Sequence, residues 1–507
     1  MMPACERSGA CVACVVFVML SGLVACDLAP SYRPPHYVLP ESFMGDGPFA
    51  VAQPGDLAPR GEWWTPFDDP NLDELEKQLM TENPDLAAMT EAYTQARDLV
   101  AEARAGLFPQ LTASALLSYE RESFNKPFRD VNSTVPLIEP DNLFGLSATW
   151  EPDIWSEIRN RVRTQSRLAQ ASAATLAGLR LSLQAEIASD YAALRGADSQ
   201  IVIYRAAIES YRQEVQITAL RFNGKIASGI DVQRAKSQLA ATEQLLEGAL
   251  SSRALLQHAI ATLAGDNPSS FSIAPQDPVR LTLREVPAVV PSALLERRPD
   301  IAAAERSMAA ANAAIGVSRA AFYPNISIGG SAGFEDTGFN LASLPNSFWS
   351  IGASAVEPLL EGGLRRAELQ QSWSKYAQTR DEYRSTVLSS FKEVEDALAQ
   401  TTHLRAQVLD QNQAAAAADE AQSLALQLYI GGLTNYLDVV VAQETALSAH
   451  IVAARLWVQQ FQAEIGLIRA LGGGWNRDAL PTEKGVSPFG PFDYHLNPQQ
   501  TSASQPR

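Results

Sequence analysis

Asn83-Pro84-Asp85-Leu86 returns later in the chain as Arg298-Pro299-Asp300-Ile301, and Phe108-Pro109-Gln110-Leu111 returns as Tyr323-Pro324-Asn325-Ile326. Both pairs are separated by 215 residues (299 minus 84, and 324 minus 109). Two further pairs follow in the same order at offsets of 206 and 207: Glu151-Pro152 with Glu357-Pro358, and Gly229-Ile230-Asp231-Val232 with Tyr436-Leu437-Asp438-Val439. The period is much longer than that of solenoid repeats, so the sequence predicts two copies of one structural half.

Each half has the same order of predicted elements. A helix over residues 84–107 or 299–322 ends at an aromatic-proline pair, because proline cannot continue a helix. Two alternating segments follow, over 326–334 and 348–356 in the second half, and alternation with a period of two predicts strands. Long helical patterns then cover 158–222 and 363–429, and after a turn a second helix covers 230–263 or 436–471. A 65-residue helix would be roughly 100 Å long.

Composition excludes several classes of protein. The 507 residues are 46% hydrophobic, which argues against wholesale disorder, and the net charge of −17 argues against binding nucleic acid. The four cysteines all lie at or before Cys26, so they form neither a disulfide framework nor a zinc site. After the leader we expect no membrane-spanning helix, since no apolar run of 18 residues follows.

The N-terminus has the pattern of an exported lipoprotein. The apolar run over residues 10–25 has the length of a signal-peptide core and closes with Leu23-Val24-Ala25-Cys26, which resembles a bacterial lipobox. On this interpretation Cys26 becomes the first mature residue and carries a covalent lipid, and no other cofactor is predicted. The alternative is an ordinary cleavage after small residues that ignores the cysteine.

Four strands per chain leave two architectures open. A four-stranded sheet has two edges, and lipid does not tolerate unpaired backbone groups at a sheet edge. Closed membrane barrels begin at about eight strands, so these strands can cross a membrane only if chains associate, and three chains would supply twelve. The soluble alternative is a small sandwich-like domain at the base of a coiled coil. Pattern alone does not choose between the two.

Three stretches resemble the signature segments of TolC-family outer-membrane factors, in particular their lipoprotein branch. They are Trp63-Trp64-Thr65-Pro66-Phe67-Asp68-Asp69-Pro70, the segment 291–305 with Leu294-Leu295-Glu296-Arg297-Arg298-Pro299-Asp300-Ile301, and Tyr436-Leu437-Asp438-Val439-Val440-Val441-Ala442-Gln443. The resemblance implies a mixed α+β membrane protein: a homotrimer with a twelve-stranded β-barrel, four strands per chain, that continues into a long periplasmic α-helical barrel.

The resemblance also implies a function and partners. The chain would be the exit duct of a tripartite efflux pump in the cell outer membrane, passively conducting substrates out of the cell. A periplasmic adaptor and an inner-membrane RND-type transporter would deliver those substrates. Asp27 departs from the expectation, because aspartate after the lipidated cysteine tends to retain enteric lipoproteins in the inner membrane.

The turns at the far ends of the helical hairpins are the candidate functional sites. Glycines there supply the chain reversal, and the small residues are predicted to receive the adaptor: Gly224, Ser228, Gly229, Gly431, Gly432, Thr434 and Asn435. Asp231 and Asp438 follow the turns, either as acids that suit a helix N-terminus or as a ring of carboxylates at the closed end. Thr434 stands where some relatives carry an aspartate, so their acidic gate is not transferred to that position.

No catalytic or metal-ligating constellation emerges. Gly329-Gly330-Ser331-Ala332-Gly333 fits the nucleophile-elbow pattern, but an elbow needs a helix directly after its strand and this segment continues as strand. A purely structural coiled-coil lipoprotein is the competing interpretation, and an enzyme is disfavoured. The predicted organisation is a leader over 1–25, a tether and equatorial segment over 26–82, a first repeat over 83–272, a proline-rich connector over 273–298, a second repeat over 299–474 and a tail over 475–507.

Overall fold

The structure, a computed structural model, describes residues 27–35, 62–121, 123, 138–276, 297–338, 343–487 and 489–490. Cys26 and the rest of the predicted leader lie outside these residues, as do most of the connector and most of the tail. The elements are, in order, α1 (Pro70–Glu82), α2 (Pro84–Ala105), β1 (Gln110–Arg121), β2 (Ile138–Trp150), α3 (Glu157–Asn223), α4 (Gly229–Ala264), α5 (Pro299–Ala320), β3 (Asn325–Asp336), β4 (Ser347–Val356), α6 (Leu364–Ile430) and α7 (Tyr436–Ala470).

The repeated Pro-Asp segments begin equivalent helices. In the first half the Asn83 side chain accepts a hydrogen bond from the Leu86 amide at 2.9 Å, and proline occupies the first helical position, where its missing N–H costs nothing. In the second half Pro299 has the same place without a side-chain cap. Both helices have 22 residues, and both 67-residue helices, α3 and α6, follow a strand. The duplication predicted from sequence is therefore present in the fold.

The four strands form one antiparallel sheet in the order β1-β2-β3-β4. Its two outer strands, β1 and β4, are exposed along nearly their whole length. Gly333 lies deep in β3, where an added Cβ would be 2.3 Å from the Phe144 carbonyl oxygen, and the Ser331 and Ser350 hydroxyls are 2.8 Å apart across β3 and β4. The nucleophile-elbow alternative fails, because this glycine-rich segment is an uninterrupted strand.

The helices below the sheet keep the order of the strands. α2 packs on α3, α3 on α5 and α5 on α6, so each helix continues the position of the strand to which it is joined. α7 packs along α6 and also contacts α3. By length and composition α7 could cross a membrane, with a mean hydropathy of 1.3, which differs from the expectation from the sequence. Its buried Gln443 and Glu464 instead fit a helix that packs against other helices.

A collar of apolar residues surrounds the middle of the long helices. Trp63, Trp64 and Phe67 pack edge to face, and Phe67 contacts Phe461 of α7 with ring centroids 5.2 Å apart. Helix α1, which lies in the predicted equatorial segment and is not itself predicted from the sequence, supplies further buried leucines to this cluster. Glu76 of α1 is also fully buried, and burial raises its pKa to about 9, so it is protonated at neutral pH.

A buried ion-pair network fixes the collar to the segment after α4. The Asp198 carboxylate accepts hydrogen bonds from Arg195 Nη1 at 2.9 Å and from Arg253 Nε at 2.6 Å. The same two arginines donate to the backbone carbonyls of Ala274 and Ile273, at 2.8 and 2.7 Å. Arg195 and Asp198 are almost completely buried, so one carboxylate holds two guanidinium groups out of water.

Candidate functional site: the hairpin tips

The first tip joins α3 to α4. Gly224 ends α3, and the Ser228 hydroxyl caps α4 by accepting a hydrogen bond from the Ile230 amide at 3.2 Å. Lys225 adopts a positive φ of 61°, which is uncommon for a residue other than glycine. Asp231 lies in the first turn of α4, where a negative charge suits the helix N-terminus.

The second tip joins α6 to α7. Gly431 ends α6, and Gly432 has a φ of 75°, the conformation that glycine supplies without strain. The Asn435 side chain caps α7 by accepting from the Asp438 amide at 3.3 Å. The Thr434 hydroxyl donates to the Asp438 carboxylate, so Asp438 is engaged within its own turn.

Arg221 connects the two tips. Its Nη1 donates to the carbonyl oxygen of Ile430 at 2.9 Å, and its guanidinium carbon lies 4.7 Å from the centre of the Tyr429 ring. Tyr429 in turn packs on Tyr436 with centroids 5.1 Å apart, in a buried cluster with Ala235 of the first hairpin. Asp231 is close enough to Tyr429 to raise the pKa of its hydroxyl, although burial is the larger cause. Asp231 thus acts on the second hairpin through its charge, whereas Asp438 is hydrogen-bonded within its own turn.

A buried acid, two helical turns before Arg221 in α3, also joins the two hairpins. The Glu214 carboxylate of α3 accepts hydrogen bonds from the Tyr436 hydroxyl at 3.2 Å and from the Gln443 amide of α7. Burial raises the pKa of Glu214, and the hydrogen bonds from Gln443 and Tyr436 oppose this shift. Neither Glu214 nor the role of Arg221 is among the residues predicted from the sequence. Polar residues interrupting the apolar stripes of long helices were the available signal for Glu214.

The tips expose apolar side chains as well as small ones. Large hydrophobic residues of both hairpins are exposed to solvent, with Ile226 at 71% and Leu433 at 78%. Exposed apolar groups that are close together on a protein surface mark contact sites for other proteins. The other exposed apolar residues of the tips are Leu220, Phe222, Ile230, Leu428, Ile430 and Leu437.

Comparison with known proteins identifies the architecture. Residues 75–266 and 290–473, one segment for each half of the chain, match the family described as outer membrane efflux protein. The chain belongs to this family. Among curated relatives, nodulation protein T of Rhizobium leguminosarum bv. viciae is 30% identical over 463 residues, covering 89% of this chain and 92% of the relative. The pyoverdine export outer membrane protein OpmQ of Pseudomonas aeruginosa is 29% identical over 436 residues, covering 85% and 91%.

Solved structures of outer-membrane channels have the same fold. The channel OprN superposes with a TM-score of 0.82 at 27% identity, covering 89% of this chain and all of that one. The open state of the Neisseria gonorrhoeae MtrE channel gives a TM-score of 0.78 at 25% identity, covering 89% and 99%. The predicted fold class is confirmed: the family fold is a trimer in which four strands per chain build one β-barrel above a helical barrel.

Family membership also confirms the predicted function. The chain is an outer-membrane channel of an efflux system, and it is a transport conduit rather than an enzyme. The family places the protein in the outer membrane with its helical tunnel in the periplasm. The soluble-sandwich alternative for the four strands is therefore wrong, because the two exposed edge strands belong to a barrel closed by neighbouring chains.

Proposed function

We propose that three copies of this chain form the exit duct of a tripartite pump, and that the hairpin tips dock onto a periplasmic adaptor fed by an inner-membrane RND-type transporter. The observation that carries this proposal is the exposed surface of both tips, where glycines and apolar side chains lie together at the end of the long helices. Such a surface is unfavourable in water and becomes favourable once a partner covers it.

The docking residues are the seven small residues predicted from sequence. Gly224, Gly431 and Gly432 are exposed. A Cβ added at any of them would come no closer than 3.4 Å to another atom, so the surface there has room for an approaching helix. Ser228 and Asn435 cap the following helices, so they also fix the shape of the surface that a partner meets. Gly229 and Thr434 complete the surface.

Tryptophan at the tips is expected to block docking. Gly224 and Gly431 have φ angles of −75° and −72°, so a side chain is compatible with either backbone. We expect Gly224→Trp and Gly431→Trp to abolish dye efflux from the native host lacking its own copy of this gene, while the trimer still forms. Gly224→Ala and Gly431→Ala are the matched controls and should keep efflux. Full efflux by both tryptophan variants would contradict docking at these positions.

We place the narrow aperture of the duct at the same tips. Asp231 and Asp438 occupy equivalent places in the two repeats, so three chains would carry six carboxylates near the axis. The charge of Asp231 acts on Tyr429 and contributes to raising its pKa, whereas Asp438 is bound by Thr434. Asp231 is therefore the better placed of the two to respond when the hairpins separate.

A covalent lipid on Cys26 is part of the proposal. Residues 27–35 are held along α3 and α5: Asp27 pairs with Arg163, the Asn312 amide donates to the Pro30 carbonyl at 2.8 Å, and the Tyr32 hydroxyl donates to Glu305 at 2.6 Å. Arg163 is in the second turn of α3, close to the end of β2 that leads out of the barrel. This path supports an anchor on Cys26 near the inner surface of the membrane.

Intact-mass measurement of the purified mature chain tests the anchor. We expect the mass to exceed that of polypeptide 26–507 by the mass of the acyl groups that are covalently attached at Cys26. These groups would hold the chain at the membrane. A Cys26→Ser chain should lack this increment. A wild-type mass equal to that of the bare polypeptide would remove the lipid from the proposal.

The duct contributes little to substrate selection. Relatives of similar identity carry names for different exported compounds, pyoverdine for one at 29% identity and toluene for another at 26%. A wide water-filled tunnel has few fixed contacts with which to discriminate. We therefore assign selection to the transporter and adaptor rather than to this chain.

A further inference from the structure

Two junctions between strands and helices contact each other within the chain. The Trp155 ring, between β2 and α3, stacks on Tyr323, between α5 and β3, with centroids 4.6 Å apart. Its indole N–H donates to the Pro324 carbonyl at 2.9 Å, and the Asn325 amide donates to the Glu151 carboxylate at 2.6 Å. These contacts join the first repeat to the second.

The duplication gives each junction a second copy. The junction between β4 and α6, which begins at Glu357-Pro358, corresponds to the one between β2 and α3. The junction between α2 and β1, which contains Phe108-Pro109, corresponds to the one between α5 and β3. Within one chain these second copies lie at opposite ends of the order β1-β2-β3-β4 and cannot meet. In a closed ring, β4 of one protomer lies beside β1 of the next.

The junction after β4 has the features of a contact surface that the chain itself does not cover. Asp153, which caps α3 by accepting from the Ile158 amide at 3.0 Å, is replaced at the equivalent position by Leu359. Leu359 and Leu360 are 93% and 92% exposed. Glu357 Oε1 accepts from Arg365 at 2.6 Å, whereas its Oε2 is buried without a hydrogen-bond partner among the residues that the structure describes.

We infer that Leu359 and Leu360 of one protomer pack on the α2–β1 junction of the neighbouring protomer, against Phe108. There the Gln110 amide of the neighbour donates to Glu357, as Asn325 does to Glu151 within the chain. This inference rests on the trimeric fold of the family and specifies the joint that closes it.

The strand register transfers by the same rule. Trp150 of β2 lies opposite Ile328 of β3. Applying the repeat offsets of 206 and 215 residues places Val356 of β4 opposite Ala113 of the neighbouring protomer's β1 to within one residue, because the same offsets carry the Gln110–Thr149 pair to Asn325–Ala355, whereas Asn325 pairs with Val356. The strand seam and the leucine joint below it are therefore continuous, since only Glu357 and Pro358 separate Val356 from the two leucines.

Cross-linking of paired cysteines tests the joint. Leu360→Cys combined with Phe108→Cys, treated with a short bifunctional thiol reagent in outer-membrane vesicles, is expected to give a covalent trimer in denaturing gels. Each single-cysteine variant should remain monomeric there, because a link needs both thiols. Trp155→Cys with Tyr323→Cys is the matched control: it links two positions of one chain, so the reagent should consume both thiols without producing a covalent trimer.

The outcomes separate this joint from the trimer itself. A trimeric mass in detergent without any covalent trimer, while the control pair reacts, would overturn the joint and leave the trimer intact. A monomeric mass would overturn both. As a second measurement, Leu359→Ser/Leu360→Ser should lower the temperature at which the trimer dissociates in SDS, compared with Leu344→Ser, another exposed leucine. Equal dissociation temperatures would also overturn the joint.

Discussion

Replacing Arg221 with alanine is expected to open the closed end and raise the single-channel conductance several-fold. Arg221 donates to the Ile430 carbonyl and lies over the Tyr429 ring, so this side chain makes two contacts from the first hairpin to the end of the second. A hydrogen bond from a charged group contributes about 1.5–3 kcal/mol and a cation–π contact about 0.5–1 kcal/mol. A loss of about 3 kcal/mol shifts a closed-to-open ratio by roughly 150-fold, enough to turn a rare opening into the dominant state.

Conductance in planar lipid bilayers is the direct measurement. Arg212→Ala is the matched control, because Arg212 pairs with Glu243 inside the first hairpin and does not reach the second. That exposed pair contributes little to stability, so its loss should leave conductance unchanged. In the same recordings, Asp231→Ala/Asp438→Ala reports on the aperture carboxylates. If Arg221→Ala conducts like the wild type, the tips are not held closed by this contact.

Replacing Asp198 with alanine is expected to lower the free energy of unfolding of the collar by about 3–5 kcal/mol, because the substitution leaves buried charges unpaired. Asp198 is the only carboxylate in the described part of the chain that pairs with Arg195, which is 1% exposed, and it also pairs with Arg253. Without it the buried Arg195 and the largely buried Arg253 lose the carboxylate that they share. The segment 271–276, which both arginines hold by its carbonyls, should loosen at the same time.

Guanidinium denaturation of the detergent-solubilised trimer, followed by tryptophan fluorescence, measures this loss, since Trp63 and Trp64, two of the eight tryptophans, are buried in the collar. Asp396→Ala serves as the control, because Asp396 pairs with Lys392 at the surface and its removal should not move the midpoint. A midpoint for Asp198→Ala equal to that of the control would show that the collar does not depend on the buried network.

Most of the fold follows from local patterns. Proline positions and hydrophobic periodicity placed both 22-residue helices and both 67-residue helices within two residues of their observed ends, because these signals act over a few residues. Helix α1 was missed although Asp69 caps it and Pro70 begins it, since 13 residues with no repeated counterpart gave a weak pattern. The trimer came from the family resemblance, because the strand patterns alone allowed a soluble sandwich.

The contacts at the site depended on the folded structure. Arg221 donates a hydrogen bond to a backbone carbonyl 209 positions away. Because every residue has a backbone carbonyl, the sequence gives no signal for this acceptor. Glu214 meets Tyr436 and Gln443 only because α3 and α7 run side by side. In contrast, the tip glycines were identifiable, because chain reversal demands glycine at particular positions.

Because α3 is unbroken, a small tilt of the helix at the collar produces a larger displacement at the tip. From Tyr191 in the collar to Asn223 the helix continues for 32 residues (223 minus 191), or about 48 Å. A tilt of about 5° at the collar therefore displaces the tip by roughly 4 Å, more than the length of the hydrogen bond that Arg221 makes. A small change of helix angle in the collar is therefore enough, by geometry alone, to move the tip farther than the length of the hydrogen bond that joins the two hairpins.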